Sequence, residues 1–253
     1  MNRRGLLLAL AIIAGVIVPG LSRAAQPCPP PRVDVEGGTS ASTDCGTSTG
    51  YSTTFPNTEN PLSEGGKWIN GKVVGGNWNN VQSVTGKAFA AQFVSLGASR
   101  YDDDIAVLNT TFTANQFAEG RVFRTPGYMS SDHHEIELLL RFSITSGNAH
   151  GYEILWAQEG NMAIVRWNGP LGDYDALLDG IPGSPAVDGD VLRAEIIGNV
   201  ITVFKNGTQV ATVNVTSAGG TVWSTGQPGM GFWPLPGATL QNYGWKSYRA
   251  GNR

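Results

Sequence analysis

The sequence predicts an all-β domain built as an antiparallel two-sheet jelly-roll sandwich. Three observations predict it. Short runs of alternating apolar and polar residues recur, among them "HEIELLLRFSI" (134–144), "GYEILWAQ" (151–158), "NMAIVRW" (161–167) and "DVLRAEIIGNVITVFKNGTQVATVNV" (190–215). Turn formers separate them: Thr145-Ser146-Gly147-Asn148, Glu159-Gly160-Asn161, Gly198-Asn199 and Asn206-Gly207. Asn-Gly between two β-branched runs is a strong two-residue hairpin signal. No long stretch carries a helical period, and 34 glycines with only 15% charged residues suit strands joined by tight turns.

The 253 residues divide into three parts. Residues 1–25 have the layout of a secretory signal peptide: Arg3 and Arg4, an apolar run from Leu6 to Val18, the breaker Pro19-Gly20, then small residues around Ala24 and Ala25. The apolar run is short of the roughly 20 residues that span a bilayer, so export is expected rather than anchoring. The destination is extracellular or periplasmic. Residues 26–50 form an extension rich in Pro, Gly, Ser and Thr that holds the only two cysteines, Cys28 and Cys45. In an exported protein these are expected to pair as a disulfide. Residues 51–253 form the folded domain. The net charge is −3 and no Lys/Arg cluster occurs, which argues against nucleic acid and against an anionic membrane as partners.

Family resemblance rests on three segments. "GDVLRAEIIGNVITVFKNGTQVATV" (189–213), "GQPGMGFW" (226–233) and "NPLSEGGKW" (60–68) resemble stretches of the concanavalin A-like and laminin G-like jelly rolls. The resemblance spans residues 55–250. It implies the fold, and a family of folds that hosts lectins, carbohydrate-binding modules, glycoside hydrolases and polysaccharide lyases.

Taken as a strand, residues 134–144 place Ile136, Leu138, Leu140 and Phe142 on one face, with Glu135, Glu137, Leu139 and Arg141 on the other. The return strand continues the apolar face with Tyr152, Ile154 and Trp156 and sends Glu153 to the polar one, near Arg141. One face then carries Glu135, Glu137, Arg141 and Glu153. In relatives, the exposed sheet face is where glycans bind. The same charges are also what an ordinary cross-strand ion network on a wet sheet face looks like.

A catalytic reading of this face takes Glu135, Glu137, Arg141, Glu153 and His134. Laminarinase-like hydrolases carry E-x-D-x-(x)-E on such a strand, the outer glutamates being nucleophile and acid/base. Glu135 matches the first position and Glu137 stands at the aspartate. The third acid falls at Leu139 or Leu140, so the motif is broken. Glu135 and Glu137 alone would stand roughly 6.5–7 Å apart along a strand, between the spacings of retaining and inverting pairs. Jelly-roll alginate lyases carry Q-I-H and R-x-E-x-R, both absent here. His134, Tyr152, Arg141 and Arg166 offer a base and cations for lyase chemistry, but no spacing demands it. His133 and His134 lie at the opposite end of the hairpin from His150, so the three do not form one zinc site.

Around this face, "NGPLGDYDALL" (168–178) reads as a rim loop. Arg166, Trp167, Asn168, Asp173 and Tyr174 are its candidate substrate contacts, and Trp78 in "GNWNNVQ" is a further sugar-stacking candidate. Asp102, Asp103 and Asp104 in "YDDD" are candidate ligands of a structural calcium or a solvated turn. No cofactor is required. The expected function is recognition of an extracellular polysaccharide or glycoconjugate on the open sheet face. The alternatives are a polysaccharide-degrading enzyme, hydrolase or lyase, and a structural or adhesion module.

Overall fold

The computed structural model describes residues 50–97, 100–129, 133–182 and 185–253. The expected signal peptide, the extension to residue 49 and the Cys28–Cys45 pair lie outside the described residues. Strands are numbered in chain order. One sheet has seven antiparallel strands, running across it as β10 (Tyr174–Pro182), β9 (Asn161–Gly169), β8 (Asn148–Ala157), β7 (His134–Thr145), β14 (Gln227–Pro234), β5 (Asp104–Leu108) and β2 (Trp68–Asn70). The other has β13 (Thr208–Asn214), β12 (Val200–Lys205), β11 (Val191–Ile197), β6 (Gln116–Arg124), β15 (Tyr243–Asn252), β4 (Lys87–Ala90) and β3 (Val81–Val84), with β1 (Gly50–Thr53) also paired to β15. The four turns expected from the sequence all join neighbouring strands, at β7–β8, β8–β9, β11–β12 and β12–β13.

Alternation builds the core. Ile136, Leu138 and Leu140 of β7 meet Tyr152, Ile154 and Trp156 of β8 and Met230 and Phe232 of β14. Leu192, Ala194, Ile196, Ile201, Val203, Tyr243, Trp245 and Tyr248 close over them from the other sheet. Each large apolar side chain so buried is worth roughly 1.5–3 kcal/mol.

One segment read as a loop is a strand, and one resemblance segment proves to be a central strand. Tyr174–Pro182, expected as part of a loop, is the edge strand β10 and pairs with β9. Residues 226–233, one of the segments that carry the family resemblance, hold β14, which lies between β7 and β5 just before the last strand β15 (Tyr243–Asn252). Their signals are weak in sequence because Gly and Pro interrupt both.

The alternation of β7 does not run its full length. Arg141 takes φ 47°, and the pairing with β8 shifts between Leu140 and Ser143. A bulge of this kind moves the following residues to the other face. Phe142, expected in the main core beside Leu140, instead joins a second apolar cluster with Ile144, Leu139, Val107, Ile105, Trp78 and Trp167 on the outer side of the seven-stranded sheet. Arg141 leaves the carboxylate face altogether. Its guanidinium donates to the carbonyls of Ala114 at 2.7 Å, Trp223 at 2.9 Å and Gly198 at 2.7 Å, tying together segments next to β6, β11 and β14.

Gly120 of β6 lies against the buried indole of Trp245, where a Cβ would overlap the ring. Replacing Gly120 by Ala is expected to destabilise the domain by at least ~1–3 kcal/mol, the usual cost of overpacking. Urea unfolding followed by tryptophan fluorescence checks this, and an unchanged midpoint would refute it.

Candidate functional site

A groove with a cavity volume of ≈ 410 Å³ runs along the outer face of the seven-stranded sheet. The second apolar cluster covers the sheet beside it. Trp167, Val165, Ala163 and Leu155 form its apolar floor, while Asp103, Glu135 and Glu153 supply carboxylates. Tyr101, Tyr174 and Trp233 stand around it with His133, Arg100 and Asp179. Tyr174 is 40% exposed and packs at 5.4 Å from Tyr101 and 5.6 Å from Trp167.

The carboxylates come from three strands or their edges. Glu135 and Glu137 lie on β7, two residues apart and so on one face. Glu153 of β8 stands directly across from Leu139. Glu153 thus places a carboxylate beside Leu139, where β7 itself has none. Asp103 immediately precedes β5, and its parity with Ile105 sends it to the same face. Oxygens of Asp103, Glu137 and Glu153 all lie within 4.8 Å of one another.

Room for this cluster is made by β14. Gly229, Gly231 and Trp233 alternate with the core residues Met230 and Phe232. Gly231 pairs with Glu137, and a Cβ there would overlap the Glu137 carboxyl group. Glu137 is 0% exposed, and neither of its oxygens has a hydrogen-bond partner among the described residues. Glu153 is better served, since Trp167 Nε1–H donates to its Oε2 at 2.6 Å.

Burial dominates the electrostatics. It raises the Asp103 and Glu137 carboxyl groups well above the carboxylate range, and the charges of Glu153, Glu135 and Asp104 push both the same way. Burial lifts Glu153 to about 8 against the opposing Trp167 hydrogen bond. Glu135 is also raised by burial, but less freely, because His133 hydrogen-bonds it. His133 Nδ1 meets Glu159 at 2.6 Å on its other side. Burial works against a charged His133, yet the bonds and charges of Glu135 and Glu159 outweigh it and raise its pKa.

Several expected site residues lie elsewhere. Arg141 faces away, for the reason given by its bulge. Arg166 pairs with Tyr152 and so takes the opposite face from Trp167; it is buried, bonded to Asp175 at 3.2 Å and to the Gly219 carbonyl at 2.6 Å. Trp78 is not a stacking platform but is fully buried edge-on against Trp167 at 5.6 Å. Asn168 donates to Asp175 at 3.0 Å, and Asp173 is exposed in the turn; neither lines the groove. The run Asp102–Asp104 is neither a solvated turn nor one ligand set. Asp102 accepts from Ser95 at 2.7 and 2.6 Å, Asp104 from the Ala91 and Gln92 amides at 2.7 and 3.1 Å, and Asp103 alone reaches the carboxylate cluster.

His134 is also remote from the groove. It is fully buried between Tyr128, whose hydroxyl lies 3.1 Å from Nδ1, and Tyr243. Residues the sequence reading did not place at the site are Trp233, Tyr101 and His133, which bonds the expected Glu135. The period-two pattern Gly229-Met230-Gly231-Phe232-Trp233 carried the signal for Trp233.

A second cavity of ≈ 690 Å³ lies over β6 and β15 beside β1. Several of its charges are satisfied within the protein: Arg249 donates to Glu119 at 2.6 and 2.9 Å, and Glu64 accepts from Trp68 at 3.1 Å. The outer-sheet groove is the better candidate.

No protein-family model matches the chain, and no curated protein matches it. Solved structures do. β-Agarase A in complex with oligoagarose superposes with a TM-score of 0.51 at 12% identity, over 81% of this chain and 94% of that one. A structure from work on endo-acting O-glycanases of the human gut microbiota that initiate mucin breakdown gives 0.50 at 9%, over 80% and 98%. The carbohydrate-binding module CBM66 from Bacillus subtilis gives 0.48 at 11%, over 76% and 96%. The chain has the concanavalin A-like jelly-roll fold. At these identities the likeness is one of fold. In this jelly roll the groove lies on the sheet that contains β7, β8 and β14.

The buried His134 makes stability depend on acid. Burial first, then the charges of His133 and Arg124, holds its imidazole down at about 3. The unfolded chain protonates this group near its ordinary value of roughly 6.5 while the native state does not. Stability is therefore lost as pH falls from about 6.5 towards 3. His134→Gln is expected to show a shallower loss between about pH 6.5 and 4 in denaturant midpoints, where most carboxylates are still ionised. An equally steep loss in the variant would refute this role.

Proposed function

We propose that this is an exported protein that binds an extracellular polysaccharide or glycoconjugate along the outer groove of its seven-stranded sheet. The observation that carries the reading is the groove itself: an apolar floor, aromatic rings of Tyr101, Tyr174, Trp167 and Trp233 around it, and carboxylates among them. Sugar rings present C–H faces that pack on aromatic side chains and hydroxyls that donate to carboxylates. Neither an ion-pair network nor a plain wet sheet face needs such a floor, and the Arg141 that would have completed an ion network is turned away.

A second reading, hydrolysis of the bound glycan, is favoured by one specific observation. Glu153 occupies the lateral position beside Leu139, where the laminarinase-like pattern has its acid/base. Glu135 stands at the nucleophile position with His133 against it. In this reading Glu153, whose carboxyl is raised to about 8, donates the proton to the leaving oxygen, and Glu135 attacks or activates water.

Affinity electrophoresis of the protein through neutral and acidic polysaccharides tests the first reading. Retardation by at least one glycan is expected, with Tyr174→Ala or Trp233→Ala weakening it roughly 3–10-fold, the equivalent of ~0.5–1.5 kcal/mol for an aromatic contact. No retardation by any glycan would refute it. Release of reducing ends from a retained glycan, lost in both Glu135→Gln and Glu153→Gln, would add the hydrolytic reading; retention with no product would remove it.

A further inference from the structure

We infer that Asp103, Glu137 and Glu153 form a binding site for a calcium-sized divalent cation beneath the groove. Three carboxyl groups from separate strands converge here, each with an oxygen within 4.8 Å of the others. Their separation is bounded at 4.8 Å. It suits oxygens arranged around one ion: Ca–O bonds of roughly 2.3–2.6 Å put ligands on opposite sides about 4.6–5.2 Å apart and adjacent ones closer. Magnesium, with bonds of roughly 2.0–2.1 Å, would hold opposite ligands about 4.0–4.2 Å apart. The all-oxygen donor set is that of a hard cation.

Glu137 is the second and independent observation. It is fully buried, and neither oxygen has a hydrogen-bond partner among the described residues. Polar atoms buried in this way are rare unless something coordinates them. Gly231 provides the space for this carboxyl group, and Trp167 orients Glu153 from behind through its indole N–H, the kind of outer contact that holds a ligand in place. Asp103 and Glu153 also line the groove while Glu137 lies beneath it. An ion held by the three thus keeps coordination positions on the groove side. Only the step from there to sugar hydroxyls as further ligands rests on the glycan reading, and it replaces the hydrolytic one, because a Glu153 that holds an ion has no proton to donate.

Metal binding is measurable without a glycan. The purified protein is stripped with chelator and titrated with terbium, with excitation at tryptophan. Trp167 touches the site, so saturable sensitised emission at one ion per chain is expected, reversed by calcium. Calcium should also raise the melting temperature. Glu137→Gln should weaken binding at least tenfold and abolish the calcium-induced rise, while itself melting no lower than the metal-free native protein because it removes an unpartnered acid. Asp103→Asn serves as a second ligand variant, and Asp173→Asn, on the exposed turn, should bind as the native protein does. Absence of sensitised emission and of any calcium-dependent melting shift would overturn the site. So would undiminished binding in both Glu137→Gln and Asp103→Asn. Either result would leave polysaccharide retardation, measured separately, untouched.

Discussion

A carboxyl group sealed in a protein without a hydrogen-bond donor costs several kcal/mol if it stays charged. Glu137 is such a group, and the outer face of the seven-stranded sheet is arranged around it. Gly231 gives up its side chain to admit the carboxyl group, Glu153 and Asp103 come within 4.8 Å of it, and Trp167 bonds Glu153 from the far side. Packing alone would favour an apolar residue at 137. The acid is tolerated because the rest of β7 buries Ile136, Leu138 and Leu140 in the opposite direction and anchors the strand firmly.

The bulge at Arg141 is the second determinant. Without it, β7 would carry Arg141 beside Glu153, and the guanidinium would neutralise the cluster. With it, Arg141 caps three loop carbonyls, and Phe142 and Ile144 cross to the outer face. There they build, with Trp78, Leu139 and Trp167, the apolar wall beside the groove. One local change of strand geometry thus removes the cation from the acids and encloses the space next to them.

Consequences follow for chemistry. The acids are distinguished by surroundings: Glu135 lies against His133, Glu153 against an indole N–H, and Glu137 against no hydrogen-bond donor among the described residues. Groups of one type in unlike environments can hold unlike protonation states or ligands. Aromatic rings around these acids add apolar surface to the groove.

Much of the fold could be read from the sequence. Period-two alternation and Asn-Gly or Gly-Asn turns are local properties, and they located β7, β8, β9 and β11–β13. They also placed Glu135, Glu137 and Glu153 on a common face, because the direction of a strand side chain depends only on parity. What parity could not show is where it breaks. The Arg141 bulge, the crossing of Phe142 and the burial of Trp78 depend on what packs against them, and β10 and β14 took strand form only because neighbours supplied their hydrogen bonds. The apposition of Asp103 with Glu137 and Glu153 joins β5 to β7 and β8 across β14, a contact between residues far apart in the chain. Only the tertiary structure decided it, because which strands lie side by side is set by the packing of the two sheets and not by any one strand's own residues.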